Sequence, residues 1–503
     1  MTGDLVAAVD LSTTGSKCVI WDAAGTAVAT GRSGLDLATP FPGAGEQDPL
    51  QWWSATVQAV SAAVAQVDAS RVQGIAIANQ RETFACLDEH GQALRPAMLW
   101  LDRRASVEVE EHGTPEVHDR TGKPVNPTPA WYKLLWLRAH EPEVLRRTAH
   151  VVDVHGYLVQ RMTGRWATSV AAADPLGLVD VRTGDWDDGL LSDVGLSREQ
   201  VGDLVAPGDV VAPLTADAAA QLGLPAGLPV VSGAGDGQAA ALGADVTEPG
   251  RAWLNLGTGL VAGCYSDEYE ARDDYRAMTG AVPGTFSYEV FIGAGTYMIT
   301  WFLDAFVPKE DRSTVGGATI EQRLGDEAAQ VPIGADGLLV VPYWNAALTP
   351  YWDQDARGVM IGLHGGHGRA HVYRAVLEGL AYELRLCLER IDAALPVPVE
   401  ELVTMGGGAR SPFWCQLIAD VLRKPLVLSG HEESTCLGAA MLAAAGSGVH
   451  ADIRGAAAAM ATTRQRYEPD PAASERYDRL YEVYAQVYPA NRALFRPLTE
   501  AAR

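Results

Sequence analysis

Residues 9–22 have the sequence VDLSTTGSKCVIWD, in which an apolar segment ends in Asp10 and a second apolar segment follows a cluster of small polar residues. The pattern predicts a β-hairpin with strands over residues 5–9 and 17–21. A tight hairpin turn needs only one or two Gly, Asn or Asp residues, whereas residues 12–16 contain four hydroxyl side chains. We therefore predict a turn that binds phosphate, with Asp10 placed to support Mg²⁺; a plain hairpin turn is the alternative.

A similar stretch, LNLGTGLVAGCYSD, occupies residues 254–267. Residues 10–13 (Asp-Leu-Ser-Thr) align without a gap with residues 255–258 (Asn-Leu-Gly-Thr). Two hairpins of this kind in one chain indicate a duplicated domain. The sequence thus predicts domains at residues 1–245 and 246–503, with one phosphate-facing turn from each copy meeting in a cleft between them.

The segments around the first hairpin alternate between strand-like and helix-like patterns, which is typical of an α/β fold. Residues 46–67 predict a helix with Asp48 as its N-cap and Pro49 in its first turn. Two short apolar runs, at residues 72–80 and 94–102, predict buried strands, and residues 127–145 carry an apolar stripe at helical spacing.

Composition narrows the class of function. The chain has 503 residues and a net charge of −24, which argues against nucleic acid or an anionic membrane as a partner and favours a small neutral or metal-bound ligand. Its six cysteines form no C-x-x-C pair, which indicates reduced thiols. The first ten residues lack the features of a signal peptide, so we expect a cytoplasmic protein.

Three further motifs carry candidate chemistry. In VSGAGDGQAAALGA (residues 231–244), Asp236 follows a glycine-rich turn, where a carboxylate could accept a hydroxyl proton or only cap a helix. In NQRET (residues 79–83), Arg81 and Glu82 follow a buried strand and could bind a polyhydroxylated substrate or form a surface ion pair. The glycines at 406–408 would let a flat or phosphorylated ligand approach the backbone.

Histidines 364, 367 and 371 in HGGHGRAH have a spacing that could suit a metal, but no carboxylate lies nearby in the sequence. A loop that leads into a helix is the preferred interpretation of this segment.

Taken together, these motifs resemble the FGGY carbohydrate kinases, over nearly the whole chain. The most specific part is GVMIGLHGGHGRAHVYRAVLEG, residues 358–379, which is similar to the C-terminal signature of that family. The resemblance implies an actin-like, hexokinase-type fold of two ribonuclease H-like α/β domains that close on ATP, Mg²⁺ and a sugar or polyol. The sequence leaves open whether the protein forms a homodimer.

The resemblance also implies roles for particular residues. Asp236 would be the catalytic base, and Asp10 and Asp236 would hold the metal. Arg81, Glu82, Trp100 and Asp236 would bind the substrate. The ATP contacts would come from Thr13, Thr14, Gly257, Thr258, Gly295, Gly407 and Gly408.

The substrate implied is a ketopentose such as xylulose or ribulose. Xylulokinases usually have a Met-His pair where this chain has Arg81-Glu82, a pair found in glycerol kinase, so a polyol kinase acting on erythritol, a pentitol or glycerol stays open. Thr128, Gly237 and Val261 are smaller than the glycerol kinase residues at those positions, which predicts extra room. A non-catalytic sugar-sensing protein and a phosphatase or acyl-phosphate enzyme of the actin-like superfamily are the remaining alternatives.

Overall fold

The computed structural model describes residues 4–315 and 318–502. The predicted first hairpin is present, with strands Leu5–Leu11 and Gly15–Asp22 paired so that Asp10 lies opposite Lys17. Leu5–Leu11 also pairs in parallel with Val72–Asn79, so it lies in the interior of its sheet. Leu5–Leu11 is a nearly continuous apolar run, as expected of a strand covered on both faces, and almost all of it is buried.

The first hairpin belongs to a six-stranded sheet. Its strands, in spatial order, are Val210–Pro213, Pro229–Gly235, Val72–Asn79, Leu5–Leu11, Gly15–Asp22 and Ala27–Gly34. The strand at the Val210–Pro213 edge runs antiparallel to its neighbour, and the next two pairings are parallel.

The second hairpin, Arg251–Leu256 with Leu260–Ser266, lies in a seven-stranded sheet of the same design. Its strands, in spatial order, are Arg276–Thr279, Phe286–Ile292, Leu260–Ser266, Arg251–Leu256, Glu401–Met405, Leu426–Ser429 and Thr463–Tyr467. The hairpin strand again pairs in parallel with a strand that follows a long crossover, and the far edge is again antiparallel. The duplicated α/β architecture predicted from the two hairpins is confirmed; the second sheet differs by the additional edge strand Arg276–Thr279.

Two helices connect the sheets, Asp236–Gly243 and Ser434–Gly446. They cross at glycines: a Cβ on Gly243 would lie 1.9 Å from the Ser434 carbonyl, and a Cβ on Gly438 would lie 1.9 Å from the Ala239 carbonyl. Helix Ser434–Gly446 packs on strands of the first sheet although it comes late in the chain. The two halves of the molecule are therefore interlocked through closely approaching helix backbones.

Of the other elements predicted from the sequence, one helix and one strand differ from the structure. Helix Pro49–Val64 begins as predicted, with the Asp48 carboxylate accepting the Leu50 amide. The predicted helix over residues 127–145 is two helices, Ala130–His140 and Pro142–Arg147, because a proline cannot continue the hydrogen-bond pattern at residue 142. Of the predicted strand over residues 94–102, only Ala97–Met98 forms a strand. It lies in a small sheet with Glu46–Gln47, Phe84–Leu87 and His150–Asp153.

The remaining α-helices of the first half are Ser106–His112, Pro115–Thr121, Val154–Thr163, Val170–Ala173, Asp188–Asp193 and Ala216–Leu222. Those of the second half are Thr296–Phe306, Ile320–Ala329, Arg369–Asp392, Pro412–Leu422, Ile453–Met460 and Pro471–Ala501. The last helix packs on its own half, where Tyr477 and Tyr484 contact Tyr382 of helix Arg369–Asp392. Over the described ranges, no helix is both long and apolar enough to cross a membrane.

Candidate active site

Asp236 lies where strand Pro229–Gly235 ends and a helix begins. It is the first residue of that helix, while Gly235 occupies the N-cap position, so the Asp236 carboxylate does not serve as the N-cap. One oxygen accepts the Gly237 amide at 2.8 Å, and 42% of the side chain is exposed. The carboxylate is thus anchored at one oxygen and accessible from outside.

Arg81 and Glu82 follow strand Val72–Asn79, as the sequence predicted, and both are buried. The Arg81 Nε lies 2.8 Å from Asp236 Oδ1, as an ion pair. Its two Nη atoms donate to the two carboxylate oxygens of Glu289 at 3.0 and 3.1 Å. Arg81 therefore links the candidate base Asp236 to Glu289 of the second sheet. Neither Arg81 nor Glu82 forms a surface ion pair.

The sequence analysis missed two residues of this site, Glu289 and Arg276. They lie on neighbouring strands at the edge of the second sheet and face each other in register. Arg276 donates to Glu82 Oε1 at 2.7 Å and also contacts Glu289. The signal that could have found them is a charged residue inside an otherwise apolar strand, as in FSYEVFI at residues 286–292.

The pKa values within this network shift in opposite directions. Burial lowers the pKa of Arg81, but the carboxylates of Glu289, Asp236 and Glu82 outweigh burial and raise it above its ordinary value. Burial favours protonation of Glu289, yet Arg81 and Arg276 hold its pKa below the ordinary value. Burial raises the pKa of Asp236, with Arg81 opposing the shift. Arg81 and Glu289 are therefore charged partners, whereas burial favours the protonated form of Asp236.

Asp10 lies at the end of the first hairpin strand, close enough to Asp236 for the two charges to interact. Burial, reinforced by the Asp236 carboxylate, raises the pKa of Asp10 to about 7, and Lys17 opposes the shift. Two carboxylates that repel each other are a hard oxygen donor set, which suits Mg²⁺ when phosphate oxygens complete the shell. Among the described residues, no group of three or more His, Cys, Asp or Glu side chains could hold a metal by itself.

The turn of the first hairpin is fixed by side chains. The Thr13 hydroxyl donates to Gln80 at 3.0 Å and accepts the Trp100 indole N–H at 2.9 Å. Gln47 donates to the Thr13 carbonyl at 2.7 Å and accepts a hydrogen bond from Gln80. Thr14 is exposed at the tip. Trp100 and Thr13, both predicted site residues, are thus brought together, and the buried glutamines that join them were not predicted.

A cleft of about 520 Å³ opens beside Trp100. It is lined from the first half by Trp100, Arg103 and Thr128, and from the second half by residues that include Phe291, Trp344 and Asn345. Its size is within the range of small-ligand sites. Thr128 lines this cleft. The prediction of extra room at Gly237 is wrong: a Cβ there would lie 2.5 Å from Glu289 Oε2 and 2.9 Å from Arg81 Nη1, so the ion pair already fills that space. Val261 packs against the apolar cluster of the second sheet that contains Trp253.

The second turn, Gly257 to Gly259, is held by the helix that begins at Thr296. The Thr296 and Tyr297 amides donate to the carbonyls of Gly257 and Thr258 at 2.9 and 3.1 Å. Gly295 fits beneath the turn, where a Cβ would lie 2.7 Å from the Gly257 carbonyl. The predicted ATP residues Gly257, Thr258 and Gly295 are therefore neighbours.

The glycines at 406–408 have three different surroundings. Gly406 has φ +90°, a conformation that favours glycine, and Gly407 has open space where a Cβ would be. Gly408 lies beneath Trp414, whose ring a Cβ would approach to 2.5 Å. Gly406 and Gly407 line a pocket of about 350 Å³, and Gly408 is not among its lining residues. Lys17, Arg32, Arg410, His431 and Arg464 also line this pocket.

His364 and His367 lie in a loop that leads into helix Arg369–Asp392, as preferred from the sequence, and His371 lies in the first turn of that helix. Each accepts a backbone N–H at Nδ1, and His371 Nε2 lies 3.3 Å from Asp336. Glu378, in the signature, is buried and accepts hydrogen bonds from Gly334, Arg374 and Tyr477, which is a structural role.

Comparison with known proteins agrees with this geometry. The model for the FGGY family of carbohydrate kinases, N-terminal domain, matches residues 5–243, and the C-terminal domain model matches residues 252–447. A xylulose kinase of Bacillus subtilis (strain 168) is 30% identical, over 96% of this chain and 96% of the relative. A gluconokinase of the same organism is 26% identical, over 95% and 94%. The crystal structure of a xylulose kinase from Rhodospirillum rubrum has a TM-score of 0.90 and 29% identity, and covers 98% of this chain and all of the other.

The fold and the site define a phosphotransferase that acts on a carbohydrate, built from duplicated ribonuclease H-like domains of the actin and hexokinase type. The chain belongs to the FGGY family of carbohydrate kinases.

Proposed function

We propose that this protein transfers the γ-phosphoryl group of ATP to a hydroxyl of a ketopentose such as xylulose or ribulose. The observation that carries the proposal is the Asp236 carboxylate, which Arg81 Nε holds at 2.8 Å at the junction of the two halves, beside Asp10. The xylulose kinases among the relatives support the substrate class. We also propose that the domains span residues 1–245 and 246–503.

In this proposal Asp236 accepts the proton of the attacking substrate hydroxyl. Its free oxygen is accessible, and Arg81 opposes the effect of burial, so the ionised form that a base needs is supported. Phosphoryl transfer requires mainly alignment and charge neutralisation, with little covalent chemistry from the protein. The exposed hydroxyls and backbone amides of the two turns, at Thr14, Gly257 and Thr258, are the groups that would position the phosphates.

The groups that would hold Mg²⁺ are Asp10 and Asp236, together with phosphate oxygens. When bound, the cation would neutralise charge on the phosphates and between the two carboxylates. The nucleoside would occupy the pocket lined by Gly406 and Gly407, where open space replaces side chains. Gly408 would contribute indirectly, by letting Trp414 pack beneath the loop.

The substrate would lie against Trp100 and Thr128 in the cleft of about 520 Å³, which has more room than glycerol needs. A second candidate, a polyol kinase, is favoured by one observation, the Arg81-Glu82 pair that the chain shares with glycerol kinase. A non-catalytic sugar-sensing role fits less well, because the two carboxylates, both turns and an open cleft are all retained.

The test is ADP release from Mg·ATP, measured with a coupled assay against D-xylulose, D- and L-ribulose, erythritol, xylitol, ribitol, glycerol and D-gluconate. We expect a ketopentose to have the highest kcat/KM, by about tenfold or more over glycerol, since a substrate too small for a pocket forfeits about 1–3 kcal/mol per missing methylene-sized contact. A polyol or gluconate as the best substrate would overturn the ketopentose assignment. No turnover with any compound of the panel would revive the sensor.

A further inference from the structure

Four charged residues from both halves of the molecule form one buried ion-pair network: Arg81 and Glu82 from the loop after the first-sheet strand, and Arg276 and Glu289 from the edge of the second sheet. Each is less than a tenth exposed, and Glu289 is fully buried. Asp236 is attached to this network only through Arg81 Nε. The network is therefore the support on which the candidate base rests.

Glu289 determines the direction of the Arg81 guanidinium. The group is planar with its donors in a fixed arrangement, so two hydrogen bonds from the Nη atoms to one carboxylate leave no freedom in where Nε points. Nε lies 2.8 Å from Asp236 Oδ1 and forms an ion pair with it. Loss of the Glu289 charge would release the guanidinium and, with it, the carboxylate.

Arg276 completes the arrangement by bridging Glu289 and Glu82. With Asp236 included, three carboxylates share two guanidiniums, so one negative charge is left over. The Asp236 side chain, at 42% exposure, is the accessible one of the three. Gly237 leaves room for the pairing of Arg81 with Glu289, because a Cβ at this position would collide with both side chains.

We infer, on the basis of the proposed function, that Glu289 and Arg276 are positioning residues supplied by the second half, which hold Arg81 in place and, through it, the base Asp236. Both Nη atoms of Arg81 donate to Glu289, its Nε forms an ion pair with Asp236, and one Glu82 oxygen accepts from Arg276. A positioning role acts on the base alone and therefore affects every substrate alike.

The decisive variant is Glu289→Gln, which keeps the volume and removes the charge. We expect kcat to fall by about 10²-fold, the scale of a displaced general base, while KM for D-xylulose changes less than about threefold. The fall in kcat should be the same factor for D-xylulose, D-ribulose and glycerol, whichever of them the wild type phosphorylates. Arg276→Lys, which keeps the charge and loses the fork, should lower kcat by a smaller factor in the same uniform way.

Glu378→Gln is the matched control, because Glu378 is also a buried carboxylate and is paired with an arginine one turn away on its own helix, Arg374. It should lower the Tm as Glu289→Gln does and leave kcat unchanged. An equal loss of kcat in Glu378→Gln would mean that any buried charge has this effect, and would overturn the inference. So would a change in substrate ranking in Glu289→Gln or Arg276→Lys, since that would make the network a substrate reader.

Asp236→Asn distinguishes a failure of the proposed base from a failure of the positioning roles. Turnover that survives in Asp236→Asn would overturn the proposed base and the positioning roles together. An inactive Asp236→Asn beside an unchanged Glu289→Gln would overturn the positioning roles alone. If Glu289→Gln does not fold, Arg276→Lys is compared with Glu378→Gln by the same criteria.

Discussion

The two hairpins share a strand pattern and differ in what holds their turns. In the first, side chains fix the turn: the Thr13 hydroxyl is bonded to Gln80 and Trp100. In the second, backbone holds it, through the amides that begin helix Thr296–Phe306. The first strand ends in the carboxylate Asp10, and the matching residue of the second is Asn255. Both turns thus rest on the same scaffold and differ in the groups that hold them.

The largest effect should come from Asp10→Asn, which gives the first hairpin strand the residue found at the matching position of the second, Asn255. We expect kcat/KM for Mg·ATP to fall by at least about 10²-fold, because a hard anionic oxygen is lost beside the phosphates. Without ligands the same variant should have a higher Tm at pH 8. There the wild type keeps a carboxylate charged although burial and Asp236 raise its pKa to about 7.

The sign of that stability change depends on pH. The pKa of Asp10 in the folded state lies above its ordinary value of 3.8, so its contribution to stability is complete below about pH 4 and is lost as the pH rises through about 7. The gain in Tm for Asp10→Asn should therefore grow from pH 5 to pH 8, as followed by differential scanning fluorimetry. A variant that is less stable at pH 8 would contradict this account of the site.

The second turn should be sensitive to the backbone beneath it. Gly295→Ala places a Cβ within 3 Å of Gly257, Thr258 and Gly259. Overpacking of this kind costs roughly 1–3 kcal/mol, which corresponds to a rise of roughly 5- to 150-fold in the Kd for ADP if the turn moves. Titration calorimetry measures it. Gly34→Ala, where the Cβ meets open space, is the control and should leave the Kd unchanged.

The first turn should be sensitive to its side chain instead. Thr13→Val leaves the Trp100 indole N–H without a partner and removes one of the two donors to Gln80 Oε1, which should cost about 1–3 kcal/mol in the free energy of unfolding by urea. The Thr258 hydroxyl has no hydrogen-bond partner within the described ranges, so Thr258→Val should cost less than about 0.5 kcal/mol. Equal costs for the two variants would remove the distinction between the turns.

The smallest expected effect is a change in how Tm depends on pH, and it comes from a residue outside both turns. Glu383 is buried between Tyr343, whose hydroxyl is 2.8 Å away, and Tyr484. Burial raises its pKa to about 7, so its contribution to stability is complete below about pH 4.5 and is lost as the pH rises through 7. Glu383→Gln should reduce the slope of Tm against pH in this range and leave kcat unchanged. A slope identical to that of the wild type would assign the pH dependence elsewhere.

Much of the fold could be predicted from local patterns, because hairpins, caps and apolar strands are encoded by neighbouring residues. The two hairpins, helix Pro49–Val64 and the position of Asp236 at the start of a helix follow from such patterns, whereas the predicted glycine-rich turn before Asp236 is the end of strand Pro229–Gly235. Pro142 also carried a local signal, which the continuous apolar stripe obscured. The strand at Ala97–Met98 is short because its partners Glu46–Gln47 offer only two residues to pair with.

The support of the site could not be predicted in the same way. Arg81 and Glu289 are 208 positions apart, and their contact depends on how two sheets approach each other. Gln47 and Gln80 look like ordinary polar residues until the fold brings them to Thr13. Gly237 looked like extra room for substrate, whereas its missing side chain accommodates Glu289. Each of these errors concerns a contact between distant segments.

The most direct test of the central claim is the rate of ADP release by Asp236→Asn with Mg·ATP and the best substrate of the panel, beside calorimetric binding of ADP. We predict a loss of kcat of at least about 10²-fold with the Kd for ADP changed less than about threefold, because the variant loses the proton acceptor and one of two Mg²⁺ carboxylates but keeps the nucleotide contacts of the turns. Wild-type kcat in this variant would contradict the assignment of Asp236 as the base on which the site is built.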